Sequence, residues 1–588
     1  MADTVQTGPQ GSAGETRTST AGSFPDVSYL VTSDPTRLGG NGTTADPLTT
    51  IDGGTGVVAD GITIVGDGTT GNPLVALGAA ATTIYFNVKA YGANGDGTNQ
   101  TTQCNNCEAA AAAVTGGTVF YPNGRYVVSE VGTTLKCLSW SSGVSFVGQS
   151  WNAIIQLADA QRESVRILWP SHASNLSIES ITLDGNKAGQ SGPNTFHRDL
   201  IFLDNCSHIE IENVQLQNGF ASGLVIWQNT TDCTVSNTWI HDNTWQCIAL
   251  GDAGGQQRIH VEYTRGQNNA GGFHVETSVA ASDITILDCE WDASAGNAAL
   301  NIVGGGGGTD ATKCVSNVKV FGGKINGAIL VASAIDVLVE GTTIVCADAA
   351  PTPLPAIKVS GQVQGVTFDN VSATLAAGGT AAQAVWFAGN NHANTLDVSL
   401  INSHVYVQTA TADGVTLQDL PSATVKNTDI YGQSAAGFYG INMNAKNDGS
   451  GRLTLQANHV EAFDIGIVAQ SGSSSFHTAL VEIIGNDFST MTTACMSLDK
   501  DGHHTIQQAS ISLNEEVGGL TMFATYPNVP FLIGGNRNGI GIYSCAGAPA
   551  FAAPIGSQAL RRDPDAAGHI AYLNLDGTGG GWHAVNVT

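Results

Sequence analysis

A strand-like unit of the form apolar-x-Asn/Asp recurs along the chain at a nearly fixed distance, and this period constrains the fold more than any other feature. It stands at Ile211-x-Asn213, Val235-x-Asn237, Val261-x-Tyr263, Ile286-x-Asp288 and Val315-x-Asn317, in steps of 24, 26, 25 and 29 residues. A second series, Asn402, Asn427, Asn458, Asn486 and Asn514, advances by 25, 31, 28 and 28. Repeats of this length signal a solenoid, and a strand-rich unit makes it a β-helix whose coils bury their core only against each other. A polar Asn at one turn suits side-chain ladders that satisfy backbone groups between coils. From about Pro351 to Asp397 strand character persists but the phase is lost.

Composition agrees with short strands and tight turns. Of 588 residues 73 are Gly, and charged residues make up 12%, about half the usual share. Glu, Lys, Leu and Arg, which helical proteins need, are scarce. The net charge of −27 repels nucleic acid and anionic membranes, so neither is expected as a partner. It also disfavours a strongly polyanionic substrate unless one cleft is locally basic. No apolar run is long enough to span a membrane and no secretory signal is visible, so membrane insertion is not expected. Cys104 and Cys107 form a C-x-x-C pair without a second pair to complete a zinc site, so buried thiols are expected and no metal or other cofactor.

The segment Phe86-Asn87-Val88-Lys89-Ala90-Tyr91-Gly92-Ala93-Asn94-Gly95-Asp96-Gly97 is followed by an Ala-rich stretch, Glu108 to Val114, and by Gly116-Gly117-Thr118-Val119-Phe120-Tyr121-Pro122-Asn123-Gly124-Arg125-Tyr126. Together they resemble the entry of the pectate-lyase-like superfamily. The resemblance implies a right-handed parallel β-helix over about 84–520, opened by a capping helix over the end of the core. Acidic residues often cap that helix in the family; here Asn99-Gln100-Thr101-Thr102 leaves capping to Asn or Thr. Residues 1–83 contain a weak repeat, Gly40-Asn41-Gly42-Thr43-Thr44-Ala45-Asp46-Pro47-Leu48 and Gly66-Asp67-Gly68-Thr69-Thr70-Gly71-Asn72-Pro73-Leu74, each copy a turn leading into a short strand. It resembles the attachment regions of phage tail proteins. Residues 521–588, with Tyr572-Leu573-Asn574-Leu575-Asp576-Gly577, resemble the small β-rich tip of such proteins. As a whole the chain resembles a phage tailspike or tail fibre. That implies a homotrimer in the virion tail, other tail or baseplate proteins bound through the N-terminal region, and a host surface polysaccharide as ligand.

Four strands align coil by coil: Gly223 to Trp227, Cys247 to Gly251, Gly272 to Glu276, and Ala299 to Val303. Alternation turns Leu224, Ile248, Phe273 and Leu300 inward, and Trp227, His274, Glu276 and Asn301 outward. Asp252 lies at the adjoining turn, and His241, Asp242 and Trp245 on the preceding one. A glycosidase needs two carboxylates, and stacked coils put Asp252 roughly 5–7 Å from Glu276, with Asp242 as a third candidate. Trp227, Trp245 and His274 are the expected sugar-binding side chains. Cys247-Ile248-Ala249-Leu250-Gly251-Asp252 resembles a polygalacturonase segment, but Trp245-Gln246 replace its paired aspartates. The strip lacks an array of Lys, Arg or Tyr suited to a lyase, so a glycoside hydrolase of surface polysaccharide is preferred over a lyase. A non-catalytic receptor-binding or structural tail protein is the alternative. His503-His504 reads as a turn, and Gly304 to Gly308, with no Lys after it, as a loop and not a phosphate cradle.

Overall fold

The computed structural model describes residues 84–498 apart from 115, 191–197, 252–253, 277–280, 305–313, 390–395, 434–435, 445–449 and 471–476, together with five short strands before residue 84 and parts of 505–585. Contacts divide the chain into two units, Met1–Tyr85 and Phe86–Thr588. In the first, Thr49–Thr50 follows the first copy of the repeat, and Val75–Gly78 follows the second. Val57–Ala59, Ile62–Val65 and Val75–Gly78 pair as an antiparallel sheet.

The second unit is a parallel β-helix with three faces. One coil shows the plan: Leu224–Ile226 on the first face, Thr231–Ser236 on the second, Trp239–His241 on the third, and Gln246–Leu250 back on the first face one coil on. The third face is a 16-stranded sheet from Asp96–Asn99 to Glu515–Val517. On the first face Leu224 pairs with Ile248, Ile248 with Phe273 and Phe273 with Leu300, all of them fully buried, as alternation requires.

The corner between the second and third faces carries the repeat. Asn213, Asn237, Tyr263 and Asp288 all adopt left-handed φ of 47–51°. That conformation turns the chain in one residue, and Asn and Asp tolerate it better than other side-chain-bearing residues. Each corner N–H donates to a carbonyl of the next coil, as in Asn237 N to Glu262 O at 3.2 Å. The fifth member of the series departs from expectation. Val320, not Val315, stacks on Ile286, and Gly322 takes the corner with φ 63°. Additional chain after Gly304 shifts the phase, and Asn317 donates instead to Asp283 Oδ1 at 2.6 Å on the second face. The second Asn series also resolves into two columns. Asn402 and Asn427 are corner residues at φ 49°. Asn458, Asn486 and Asn514 lie one position later, inside the coil. There Asn458 Nδ2 donates to Asn486 Oδ1 at 2.9 Å and Asn486 Nδ2 to Asn514 Oδ1 at 3.0 Å, while each also donates to a backbone carbonyl.

The stretch without visible phase is in register. Ala328–Glu340 and Ile357–Asp369 are single 13-residue strands that run through both the first and second faces. The loop that separates those faces elsewhere is reduced there to Ser333 (φ 48°) and Gly361 (φ 73°). The turn residues that would mark the phase are therefore missing from the sequence.

The capping helix spans Thr101–Ala112, beginning seven residues before the Ala-rich stretch. The N-cap is Gln100, not the expected Asn or Thr, and its side chain makes no capping bond; Asn99, one residue earlier, accepts through Oδ1 from the Thr101 N–H at 3.1 Å. Cys104, Cys107 and Ala111 are buried against the end of the core. Burial pushes the Cys104 thiol up to about 12. A Cβ on Gly117 would fall 2.2 Å from the Ala111 carbonyl oxygen, so the helix can sit this close only over glycine. At the far end Gln558–Arg561, Ala571–Asn574 and Trp582–Val585 pair antiparallel, and the Trp582 indole N–H donates to Phe551 O at 2.7 Å. Among the described residues no helix is long and apolar enough to cross a membrane.

Asn486 is bonded to the coil on either side of it, so Asn486→Ala strands a buried carbonyl and breaks the ladder. The expected loss is about 2–3 kcal/mol, read as a lower urea midpoint; a loss under about 0.5 kcal/mol would show that the ladder does not hold adjacent coils.

Candidate functional site

The first face carries one column of side chains that alternate away from the core, of which Ala249, His274, Leu330, Lys358 and Trp386 are partly exposed and Phe202, Val225, Asn301, Thr416, Asn442 and Val468 are covered by their neighbours. Register places Phe202, Val225, Ala249, His274, Asn301, Leu330, Lys358, Trp386, Thr416, Asn442 and Val468 in sequence, one per coil. Ten steps at about 4.8 Å give a track of ~48 Å. The flanking column two residues on contains Trp227, Gly251, Val303, Ser360, Gln418, Asn444 and Gln470.

The upper end of the track is aromatic and cationic. The Arg166 guanidinium lies 4.0 Å from the centroid of Phe202 and 4.4 Å from that of Trp169. Its Nε is 3.5 Å from Asp199 Oδ2, and burial lowers its pKa. Trp227 follows, its ring 5.4 Å from Phe202 and directly over Gly251, where a Cβ would lie 1.9 Å from the indole. Glycine at 251 is what lets this ring lie flat along the track. The sequence reading found Trp227 but not Arg166, Trp169 or Phe202. Their signal was a run of aromatics one coil apart, but the step of 33 residues from Trp169 to Phe202 is longer than the 24–29 of the repeat and disguises the spacing.

His274 stands in the middle of the track, one coil from Asn301, whose Nδ2 is 3.5 Å from its Nδ1. Burial lowers the His274 pKa to about 4, an effect that the Ala298 backbone opposes without overcoming. The imidazole is therefore neutral at pH 7, a polar contact and not a charge. Glu276 lies two residues on in the same strand, in backbone register with Val303. Its side chain, and all of Asp252, lie outside the described residues.

Asp242 and Trp245 occupy the opposite edge of the strand. Asp242 has φ 58° and its Oδ2 is 2.6 Å from His241 Nδ1. Bonding to His241, with a further bond from Asn268, holds its pKa below the usual range. That suits an ionised acceptor and not a proton donor. His241 is itself stacked on Trp239 at 4.0 Å. The five-residue strand Gln246–Leu250, ~16 Å long, separates Asp242 and Trp245 from the Trp227 and Glu276 edge. The structure thus places Trp227, His274 and the Glu276 backbone along one side of the track, and Asp242 with Trp245 beside a separate 680 Å³ cleft lined by Asn243, Asn268, Asp292 and Asn326. Among the described residues no group of three His, Cys, Asp or Glu is placed to hold a metal.

No protein-family model matches the chain. It is 30% identical over 204 residues to mannuronan C5-epimerase AlgE2 of Azotobacter vinelandii, covering 33% of this chain and 20% of that protein. It is 28% identical over 204 residues to alginate lyase 7 of the same organism, covering 33% of this chain and 24% of that protein. The chain therefore spans about a quarter or less of the length of these two relatives. Among solved structures, pre-mature bacteriophage phi29 gene product 12 is similar with a TM-score of 0.45 and 13% identity, over 76% of this chain and 73% of that one.

His274 gives a pH test. Its native pKa of about 4 lies below the ordinary 6.5, so the unfolded chain binds the extra proton between those values. Stability contributed by the neutral ring is full above pH 6.5 and falls as pH drops towards 4, by an amount of the order of 2 kcal/mol. His274→Gln should flatten that part of the stability–pH curve; an unchanged slope between pH 6.5 and 4 would show that His274 is not the group titrating.

Proposed function

We propose that this chain is a phage tail protein that binds and cleaves a host surface polysaccharide along the outward track of its first face. The observation that carries the reading is the track itself: a ~48 Å column in which Phe202, His274, Asn301, Trp386 and Asn442, with Trp227 beside it, supply rings, imidazole and carboxamides of the kind that stack on sugar rings and bond their hydroxyls, interspersed with aliphatic residues. Sequence similarity to enzymes named for polymannuronate and alginate supports a polysaccharide as ligand. The N-terminal repeat and C-terminal module resemble those of phage tails and support a place in the virion, attachment through residues 1–83, and assembly as a homotrimer.

Cleavage is assigned to Glu276 and Asp252 on adjacent coils, one to protonate the leaving oxygen and one to attack or activate water. Asp242, held ionised ~16 Å across the face, is left to binding or positioning. A lyase acting on uronates is the second reading, favoured by the similarity to alginate lyase 7.

Trp227→Ala should weaken binding to the host polysaccharide about tenfold, the scale of one lost aromatic contact. Glu276→Gln and Asp252→Asn should each slow release of oligosaccharides at least about a hundred-fold while leaving binding intact. Products carrying a new ultraviolet-absorbing double bond would replace hydrolysis by elimination, and an inactive wild type that still binds would leave a receptor-binding protein. Light scattering should give three times the 60.4 kDa chain mass; a single-chain mass at all concentrations would remove the trimer.

A further inference from the structure

Four coils beyond His274, ~19 Å along the track, the first face opens into a cleft of 460 Å³. Trp386 and Tyr439 supply aromatic surface, and Gln418, Asn442, Asn444 and Gln470 supply carboxamides. None of these was singled out from the sequence, because they begin where the coil phase is lost.

The polar groups are organised around a buried carboxylate. Asp413 Oδ1 accepts from the Tyr439 N–H at 2.9 Å, and Oδ2 accepts from Asn442 Nδ2 at 2.7 Å and Thr416 Oγ1 at 3.5 Å. Gln470 Nε2 donates to Asn442 Oδ1 at 3.1 Å. Asp413 thus fixes Asn442, and Asn442 fixes Gln470, in a chain spanning three coils. The Trp386 indole N–H is buried with no hydrogen-bond partner, while the residue lines the cleft. Lys358 lies behind the ring, 4.8 Å from its centroid, and burial lowers its pKa. Among the described residues no Lys or Arg lines the cleft.

We propose that this cleft is a subsite for a neutral sugar unit, a hexose or N-acetylhexosamine. Planar carboxamides offer paired donors and acceptors that match vicinal hydroxyls or an acetamido group. The aromatic surface meets the C–H face of a pyranose. A uronate would bring a carboxylate near Asp413, where like charges repel strongly, and Lys358, over the Trp386 ring, is not among the residues that line the cleft. The proposal deepens the polysaccharide reading and rests on it. It adds that the polymer contains neutral units, whatever charge it carries elsewhere.

The test is binding of the full chain to a printed array of bacterial oligosaccharides, neutral and uronate-containing, with Trp227→Ala, Trp386→Ala and Asn444→Ala run beside it. Neutral oligosaccharides should be retained, and both cleft variants should lose them about tenfold or more, with thermal unfolding unchanged. Asn444 is at the rim, so its loss of binding stands even if Trp386→Ala unfolds. Preference for all-uronate oligomers overturns the assignment. So does neutral binding that Trp227→Ala weakens and neither cleft variant affects, a result that leaves the polysaccharide reading standing. No binding to any glycan overturns both.

Discussion

Everything in this molecule depends on a single backbone turn made once per coil. The left-handed corner residue redirects the chain within one position while its N–H still reaches the carbonyl of the next coil. Without it the second and third faces could not meet at an angle and remain hydrogen-bonded. A left-handed φ disfavours most residues with a Cβ, so the sequence is restricted there to Asn, Asp, Gly and a few others held by their neighbours, such as Tyr263 at φ 48°. That restriction is why the corner shows in the sequence at all.

The same logic explains what could and could not be read. Alternation aligned Leu224, Ile248, Phe273 and Leu300 because successive coils there have nearly equal length and each strand is bracketed by polar turn residues. It failed at Asp288 to Gly322, where Gly322 replaced the expected Asn and additional chain moved the next corner. It failed again at Ile357–Asp369, where two faces share one strand and the single residue Gly361 marks the boundary. Inward positions were legible from hydrophobicity alone. Outward positions were not, because an outward Asn or Gln on a groove looks like one on bare solvent. The Asp413 cleft therefore left no trace in the sequence, whereas Trp227 did, as a large ring with no place in the core.

Electrostatics separates the regions of the surface. The chain has few cations, and several are committed to carboxylates on the second and third faces: Arg258 to Asp232, Arg452 to Glu482, and Arg265 to Glu290 at 3.3 Å. Such exposed pairs add little stability, but they leave the outward track nearly free of positive charge below Arg166. The −27 net charge and the similarity to enzymes named for anionic polymers pull in opposite directions.

Coil geometry also limits what chemistry such a surface can perform. Side chains in one column cannot approach closer along the axis than the ~4.8 Å coil spacing, and those on opposite edges of a strand are held ~16 Å apart. A pair of carboxylates acting on one glycosidic bond must therefore come from neighbouring coils on the same edge, a condition that Asp242, on the edge opposite Trp227, does not meet with a carboxylate on the Trp227 edge. Sugar contacts are quantised in the same way. Each coil offers one outward position per column, so any ligand lying along the face would meet side chains in steps set by the backbone. The character of each step, aromatic at Trp227, neutral imidazole at His274 or carboxamide at Asn442, is then fixed by a single residue. Substituting that residue changes one step and leaves the rest of the track in place.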